Sequence, residues 1–306
     1  MSHSEGTVTS LDGLEIYYQC WHPATPAHAI LGIVHGLGSH SGLFDNVVNA
    51  LVPQGYAVYG IDLRGHGRSP GQRGYIDRWD DYRNDLHSFW QQIAAQNPGL
   101  PRFCMGHSLG AIVLLDYALH HGEMLNGIIT MAPIFQAAGV PPIRIAIGQM
   151  MSWVWPRFAL NTGIPRNACS HDPAIVEAYN TNPLRHTKGT ARLATEFLKT
   201  SAWVQAHIGQ LQMPLLTLHG SDDIVALPDC SRFLMAQAGS ADKDYRYYLG
   251  GCHDLHIDTC TAEVMADLVN WLDRQVKPQT SLPTVQEQLV QERPVQELSS
   301  NLPQHP

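Results

Sequence analysis

The sequence predicts an α/β fold: a mostly parallel central sheet with helices on both faces, interrupted by one helical insertion. Short apolar runs without polar alternation recur along the chain, and amphipathic helical stretches separate them. Strand–helix alternation of this kind implies a parallel sheet covered on both sides. One long segment, residues 135–210, is helical in character and breaks the alternation.

The elements follow in order. Residues 14–21 alternate in part and read as an early strand. Residues 29–34, 56–61, 103–105, 127–131 and 215–218 are apolar without alternation, the pattern of strands buried on both faces. Residues 245–249 read as a later strand. Between them, Leu43, Phe44, Val47, Val48 and Leu51 form one helical stripe. Residues 79–95, 109–120, 231–238 and 262–276 read similarly, and no internal repeat is visible.

The insertion contains Ile147, Met150, Met151, Trp153, Trp155 and Phe158, and no strand is expected within it. It reads as a cap over the sheet. The expected organisation is a core of residues 1–134 and 211–276, a cap of residues 135–210, and a tail of residues 277–306. The tail is rich in Gln, Pro, Ser and Glu, with isolated Val and Leu, and buries too little surface to offset its ordering entropy. It is expected to be disordered, with a short helix over 285–298 as the alternative.

Bulk properties narrow the function classes. With 306 residues, 44% hydrophobic and 15% charged, the chain can build a sizeable core. A formal net charge of -8 argues against nucleic acid as a partner, since phosphate binding needs a basic footprint. Cys20, Cys104, Cys169, Cys230, Cys252 and Cys260 include no C-x-x-C pair, which reads as small apolar residues in a reducing compartment and not as a zinc site. The polar start of the chain does not read as a signal peptide, and no run of about twenty apolar residues exists. A cytoplasmic location is therefore expected.

The chemistry is concentrated in three places. Gly106-His107-Ser108-Leu109-Gly110 follows an apolar run and precedes a helical one, the context that G-x-S-x-G requires. A serine on so tight a turn demands almost no side chain two positions away on either side. A serine hydroxyl also needs a base, and the base an orienting acid. In this architecture the chain order is Ser, acid, His. The run 215–218 leads into His219-Gly220-Ser221-Asp222-Asp223, and 245–249 leads into Gly250-Gly251-Cys252-His253-Asp254-Leu255-His256. Residue mechanics alone leave Asp222 and Asp223 as rivals, and likewise His253 and His256. His107 reads as packing. Two N–H donors are needed for an oxyanion: that of Leu109, and one from the turn His35-Gly36-Leu37-Gly38, where Leu37 is placed to serve.

Together these pieces resemble the monoacylglycerol lipase and lysophospholipase branch of the α/β-hydrolase family, which includes serine aminopeptidase S33-type hydrolases. The resemblance runs over residues 10–276. It rests on His35-Gly36-Leu37-Gly38-Ser39-His40-Ser41, and on Asp62-Leu63-Arg64-Gly65-His66-Gly67-Arg68-Ser69 with its continuation Gly71-Gln72-Arg73-Gly74. It rests further on Gly106 to Gly110, and on Gly220-Ser221-Asp222-Asp223 paired with His253-Asp254-Leu255-His256. The resemblance implies Ser108 as nucleophile, Asp223 as acid, His253 as base, and Leu37 and Leu109 as oxyanion donors. It assigns the 62–69 turn a structural role. It also implies a small-molecule lipid ester as substrate and no metal or organic cofactor. The apolar residues Ile147, Met150, Trp153 and Trp155 of the cap suggest transient contact with membrane surfaces. Alternatives with the same triad are a peptidase, amidase or lactonase. A peptidase would need Asp172, Glu177 or Glu196 to hold a free amine. The alternative from another class is a non-catalytic binding protein.

Overall fold

The computed structural model describes residues 1–135, 142–165 and 167–276. The tail, and the alternative of a helix within it, lie outside the described residues. Ten strands and eight α-helices are described. The first half of the chain supplies β1 (Ser2–Thr9), β2 (Glu15–His22), β3 (Ala29–Val34), α1 (Asp45–Leu51), β4 (Tyr56–Ile61), α2 (Asp80–Gln96), β5 (Arg102–His107), α3 (Leu109–His121) and β6 (Gly127–Met131). Then come α4 (Pro142–Val154), β7 (Ala159–Asn161), α5 (Pro173–Thr181), β8 (Lys188–Thr190) and α6 (Ala191–His207). The chain closes with β9 (Leu215–Gly220), α7 (Asp229–Gln237), β10 (Lys243–Tyr248) and α8 (Thr261–Val276).

Eight strands form one sheet in the order β1-β2-β4-β3-β5-β6-β9-β10. β1 and β2 are antiparallel to their neighbours, and the remaining pairs are parallel. The missing alternation has a direct cause in β3: Ile30 and Val34 enter the core on one face, while Ala29, Leu31 and Ile33 enter the core on the other. Gly32 is a glycine because a Cβ there would sit 2.5 Å from the Trp90 ring of α2.

Two expectations need correction. β1 was not anticipated, because its residues are polar and only Val8 among them is buried. Backbone pairing with β2 holds it, in register from Ser2↔His22 to Thr9↔Glu15. The segment between β6 and β9 is not free of strands either. β7 and β8 form a short antiparallel pair, Ala159↔Thr190 to Asn161↔Lys188, too brief to show a period.

The motif at 62–74 explains how this segment is anchored. Asp62 accepts the N–H groups of Ser41 (2.7 Å) and Arg68 (2.8 Å), which fixes the turn. Further on, Gly74 (φ 68) accepts both the N–H and the hydroxyl of Thr190, the residue that caps α6. A Cβ on Gly74 would lie 2.2 Å from the Lys188 carbonyl oxygen. The Gly-x-Arg-Gly continuation therefore docks β8 onto the sheet side of the molecule.

Candidate active site

Ser108 stands between β5 and α3 with φ 54 and ψ −119, in the left-handed region that L side chains rarely enter. Such a conformation costs about 1–3 kcal/mol and persists only where the surroundings hold it. Its N–H donates to Met131 at the end of β6 (3.0 Å), and its carbonyl accepts from Ala111 (3.0 Å). The flanking glycines are obligatory. A Cβ on Gly106 would lie 2.5 Å from the Gly110 carbonyl oxygen, and one on Gly110 would lie 2.2 Å from that of Val34.

The turn after β3 lies against this elbow: a Cβ on Gly36 would be 3.1 Å from Ser108 Cβ. His35 holds the turn. Its Nδ1–H donates to the Gly36 carbonyl (2.7 Å) and its Nε2 accepts from the Leu63 N–H (3.0 Å). Burial pushes its pKa down to about 4, so the ring is neutral, as those two bonds require. Leu37 is thereby placed beside Ser108, and both line one cavity. Leu109 opens α3, so its N–H has no intrahelical carbonyl to bond.

Asp223 and Asp222 sit in different surroundings. Asp223 Oδ2 accepts from His253 Nδ1 at 2.8 Å, while Asp223 Oδ1 accepts from the N–H groups of Val225 and Ala226, each at 2.8 Å. Burial pushes the Asp223 carboxyl up. The hydrogen bonds from His219 and His253, the His253 charge and the Ala226 N–H outweigh it and hold the group well below its ordinary value. Asp222 is exposed and takes a hydrogen bond from Ser221. His253 and His256 differ likewise. Burial lowers the His253 pKa, but the hydrogen bond and charge of Asp223, with the charge of Asp254, raise it above the usual 6.5. His256 stacks face to face on Phe44, with ring centroids 4.2 Å apart, and burial drops its pKa to about 3.

Two residues have structural roles that the sequence did not show. His219 Nε2 donates to the Ala226 carbonyl (2.7 Å) and lies 3.3 Å from Asp223 Oδ2, the same oxygen that accepts from His253. The only sequence signal was its place at the end of a buried strand, four residues before the acid. His107 Nε2 lies 3.1 Å from Asp254 Oδ1 and 3.2 Å from the His253 carbonyl, so the elbow is tied to the loop carrying His253. Burial, then the nearby His253, pushes the His107 pKa down to about 3, which makes it a neutral donor and not a second base.

Two cavities open on Ser108. A small one, about 80 Å³, is of mixed character: Ser108 and His253 share it with Tyr179, Arg185 and Asp254, and Leu37, Ile164 and Pro165 also line it. The Arg185 guanidinium lies 3.4 Å over the Tyr179 ring and donates to the Tyr179 carbonyl (3.0 Å). The other, about 380 Å³, is apolar: Leu37, Leu109 and Val225 face Leu160, Leu193 and Phe197 across it. None of Asp172, Glu177 and Glu196 lines either cavity. Asp172 caps α5, Glu177 faces a separate cavity, and Glu196 accepts from the Trp79 N–H.

Known proteins share this architecture. The family described as serine aminopeptidase, S33 matches residues 25–260. The chain is 31% identical over 258 residues to the caffeoylshikimate esterase of Arabidopsis thaliana, covering 79% of this chain and 77% of that protein. It is 27% identical over 273 residues to the monoacylglycerol lipase of Mycolicibacterium smegmatis, covering 89% of this chain and 97% of that one. The crystal structure of the Paleococcus ferrophilus monoacylglycerol lipase superposes with a TM-score of 0.78 at 26% identity, covering 85% of this chain and 99% of that one. Its sheet, its elbow and the long family match place this chain in the serine aminopeptidase S33 family of α/β hydrolases.

Proposed function

We propose that the protein is a carboxylic ester hydrolase acting on lipid esters, with monoacylglycerols or lysophospholipids as substrates. Ser108 attacks the ester carbonyl while His253 takes its proton. With Nδ1 engaged by Asp223, Nε2 is the nitrogen left to act as base. Asp223 orients the ring and stabilises the imidazolium. The N–H groups of Leu37 and Leu109 receive the oxyanion. The alcohol leaves with the proton from His253, and water, activated by the same histidine, releases the fatty acid from Ser108.

The observation that carries this reading is the apolar cavity that starts at Ser108 and runs under β7, β8 and α6. Its size suits an acyl chain, and among the described residues that line it none carries a charge to hold a free amine. The small cavity that also opens on Ser108, where Tyr179, Arg185 and Asp254 offer polar atoms, suits a hydroxylated leaving group. Support also comes from the relatives named monoacylglycerol lipase and caffeoylshikimate esterase, which are ester hydrolases by name. In this reading the segment between β6 and β9 is the cap. Its face with Ile147, Met150, Trp153 and Trp155 is exposed and touches lipid surfaces while substrate enters. Among the described residues no helix is long and apolar enough to cross a membrane.

A matched panel tests the proposal: monoacylglycerols, lysophospholipids and p-nitrophenyl esters of graded length, with Ser108→Ala as control. The expected result is activity that peaks on long-chain glycerol-based esters and disappears in the variant. Activity confined to short aryl esters or to amides would overturn the lipid assignment. Full activity in Ser108→Ala would overturn the mechanism.

A further inference from the structure

Beside the loop that carries His253 lies a second group of chemically active side chains, two of which, His171 and Cys252, line a cavity that Ser108 does not. Cys252 Sγ lies 3.2 Å from His171 Nδ1, and that nitrogen lies 3.4 Å from the Asp258 carboxylate. The three ligand atoms all fall within 4.8 Å of one another. From these contacts we propose that Cys252, His171 and Asp258 form a binding site for a thiophilic divalent cation of the zinc class.

Two of the three donor–donor edges match such an ion, and the third lies within 4.8 Å. A tetrahedral zinc with bonds of about 2.3 Å to sulfur and about 2.0–2.1 Å to nitrogen and oxygen separates S from N by about 3.5 Å and N from O by about 3.3 Å. The distances here, 3.2 and 3.4 Å, lie within a few tenths of those edges. One thiolate, one imidazole and one carboxylate make a borderline-soft donor set. Magnesium and calcium take shells of oxygen, so this set disfavours them.

The surroundings are those of an organised site. Asp258 is fixed by the N–H groups of Cys252 (2.7 Å) and His171 (2.9 Å) and by the Ser170 hydroxyl (3.1 Å). When His171 ligates through Nδ1, its Nε2–H faces Asp222, whose carboxylate lies 3.8 Å away. A carboxylate behind a ligating histidine is the usual outer partner that sets its tautomer and orientation. Asp222, which takes no part in the triad, thus has a function. Entry is open, because His171, Cys252 and Asp222 border a surface cavity of about 430 Å³ separate from the two at Ser108. A fourth position is left for water. Coordination replaces the Cys252 S–H bond by a sulfur–metal bond and releases one proton to solvent, with no redox change.

The site joins two parts of the molecule. His171 precedes α5 in the segment between β6 and β9, while Cys252 and Asp258 belong to the His253 loop. Backbone bonds already run between them, from His253 to Ala168 (3.2 Å) and from Asp254 to Cys169 (3.3 Å). A bound ion would strengthen this junction and stabilise the fold by mass action. No spacing motif marks the group, since 81 residues separate His171 from Cys252.

The test uses the full chain, stripped with a chelator and titrated with Zn²⁺, Cd²⁺ and Co²⁺. Equilibrium dialysis should find one tightly held equivalent, and the Co²⁺ form should show thiolate-to-metal charge-transfer absorption. His171→Ala, at a half-exposed position, and Cys252→Ala should each weaken binding beyond the about 10–100-fold that loss of an outer partner costs. Asp222→Asn should cost an amount within that range, and ester hydrolysis by metal-free His171→Ala should be unchanged. Equal Cd²⁺ affinity in wild type and His171→Ala would overturn the proposal, as would a Co²⁺ form without the thiolate band. Binding abolished by Asp254→Asn but kept in His171→Ala would place the ion at the His107–His253–Asp254 group instead, and would equally overturn it.

Discussion

Replacing Asp223 by asparagine isolates the part of the site that hydrogen bonding alone decides. The carboxylate uses both oxygens: Oδ1 takes the Val225 and Ala226 N–H groups, and Oδ2 takes His253 Nδ1–H. An amide has one acceptor oxygen. Two buried N–H groups hold that oxygen at the Oδ1 position, so the NH₂ group faces His253 Nδ1. The ring must then accept there and carry its proton on Nε2, the tautomer that cannot take a proton from Ser108. Loss of the acid from a Ser-His-Asp arrangement through the wrong tautomer lowers turnover by about 10⁴. At about 1.4 kcal/mol per decade, that is about 5 kcal/mol of transition-state stabilisation. The assay is kcat/KM on a monoacylglycerol and on a soluble p-nitrophenyl ester, with circular dichroism to verify folding. Asp222→Asn serves as control and should stay within a few-fold of wild type. A folded Asp223→Asn protein with activity within tenfold of wild type would refute the reasoning. So would an Asp222→Asn protein that loses the larger share.

Other outcomes follow from the same geometry. His253 must be neutral to act as base, and its pKa stands above 6.5, so kcat/KM should rise with pH through a value above 6.5. A profile already flat at pH 6 would contradict this. Ala194→Phe should fill the apolar cavity and reduce turnover of long-chain esters by about 10–100-fold, as a few kcal/mol of lost acyl binding implies, while leaving acetyl esters nearly unchanged. Equal losses on both would show that the acyl chain lies elsewhere. Gly110→Ala places a Cβ 2.2 Å from the Val34 carbonyl, so thermal unfolding should reveal a destabilisation of about 2 kcal/mol or more. Trp153→Ser with Trp155→Ser should weaken vesicle binding without changing hydrolysis of a soluble ester, because both side chains are exposed. Unchanged vesicle binding would remove the lipid-surface role of this face.

How much of this was legible beforehand varied with how local the physics is. The buried parallel strands were readable because burial on both faces removes polar alternation, and β3 feeds both cores. The elbow was readable because Gly106 and Gly110 are demanded by contacts within a few residues and with the neighbouring strand end. β1 was not, since a polar edge strand is held by its backbone partners. One cue lay in Asp12-Gly13, where Gly13 has φ 82 and donates to the Ser10 carbonyl (2.9 Å) between β1 and β2. The pair β7–β8 is three residues on each side, below the length at which a period can be read.

By itself the sequence determined the strand and helix order, the nucleophile's turn, and the two loops from which acid and base must come. These depend on side-chain volume, periodicity and backbone freedom over short spans. Residue mechanics left Asp222 and Asp223 as rivals, and the resemblance favoured Asp223; only the tertiary structure set Asp223 against His253, His219 beside Asp223 and His107 against Asp254, and gathered His171, Cys252 and Asp258. Adjacent residues such as Asp222 and Asp223 differ in direction, and direction is fixed by the loop's packing. Partners as distant as His171 and Cys252 meet only after the whole sheet has closed.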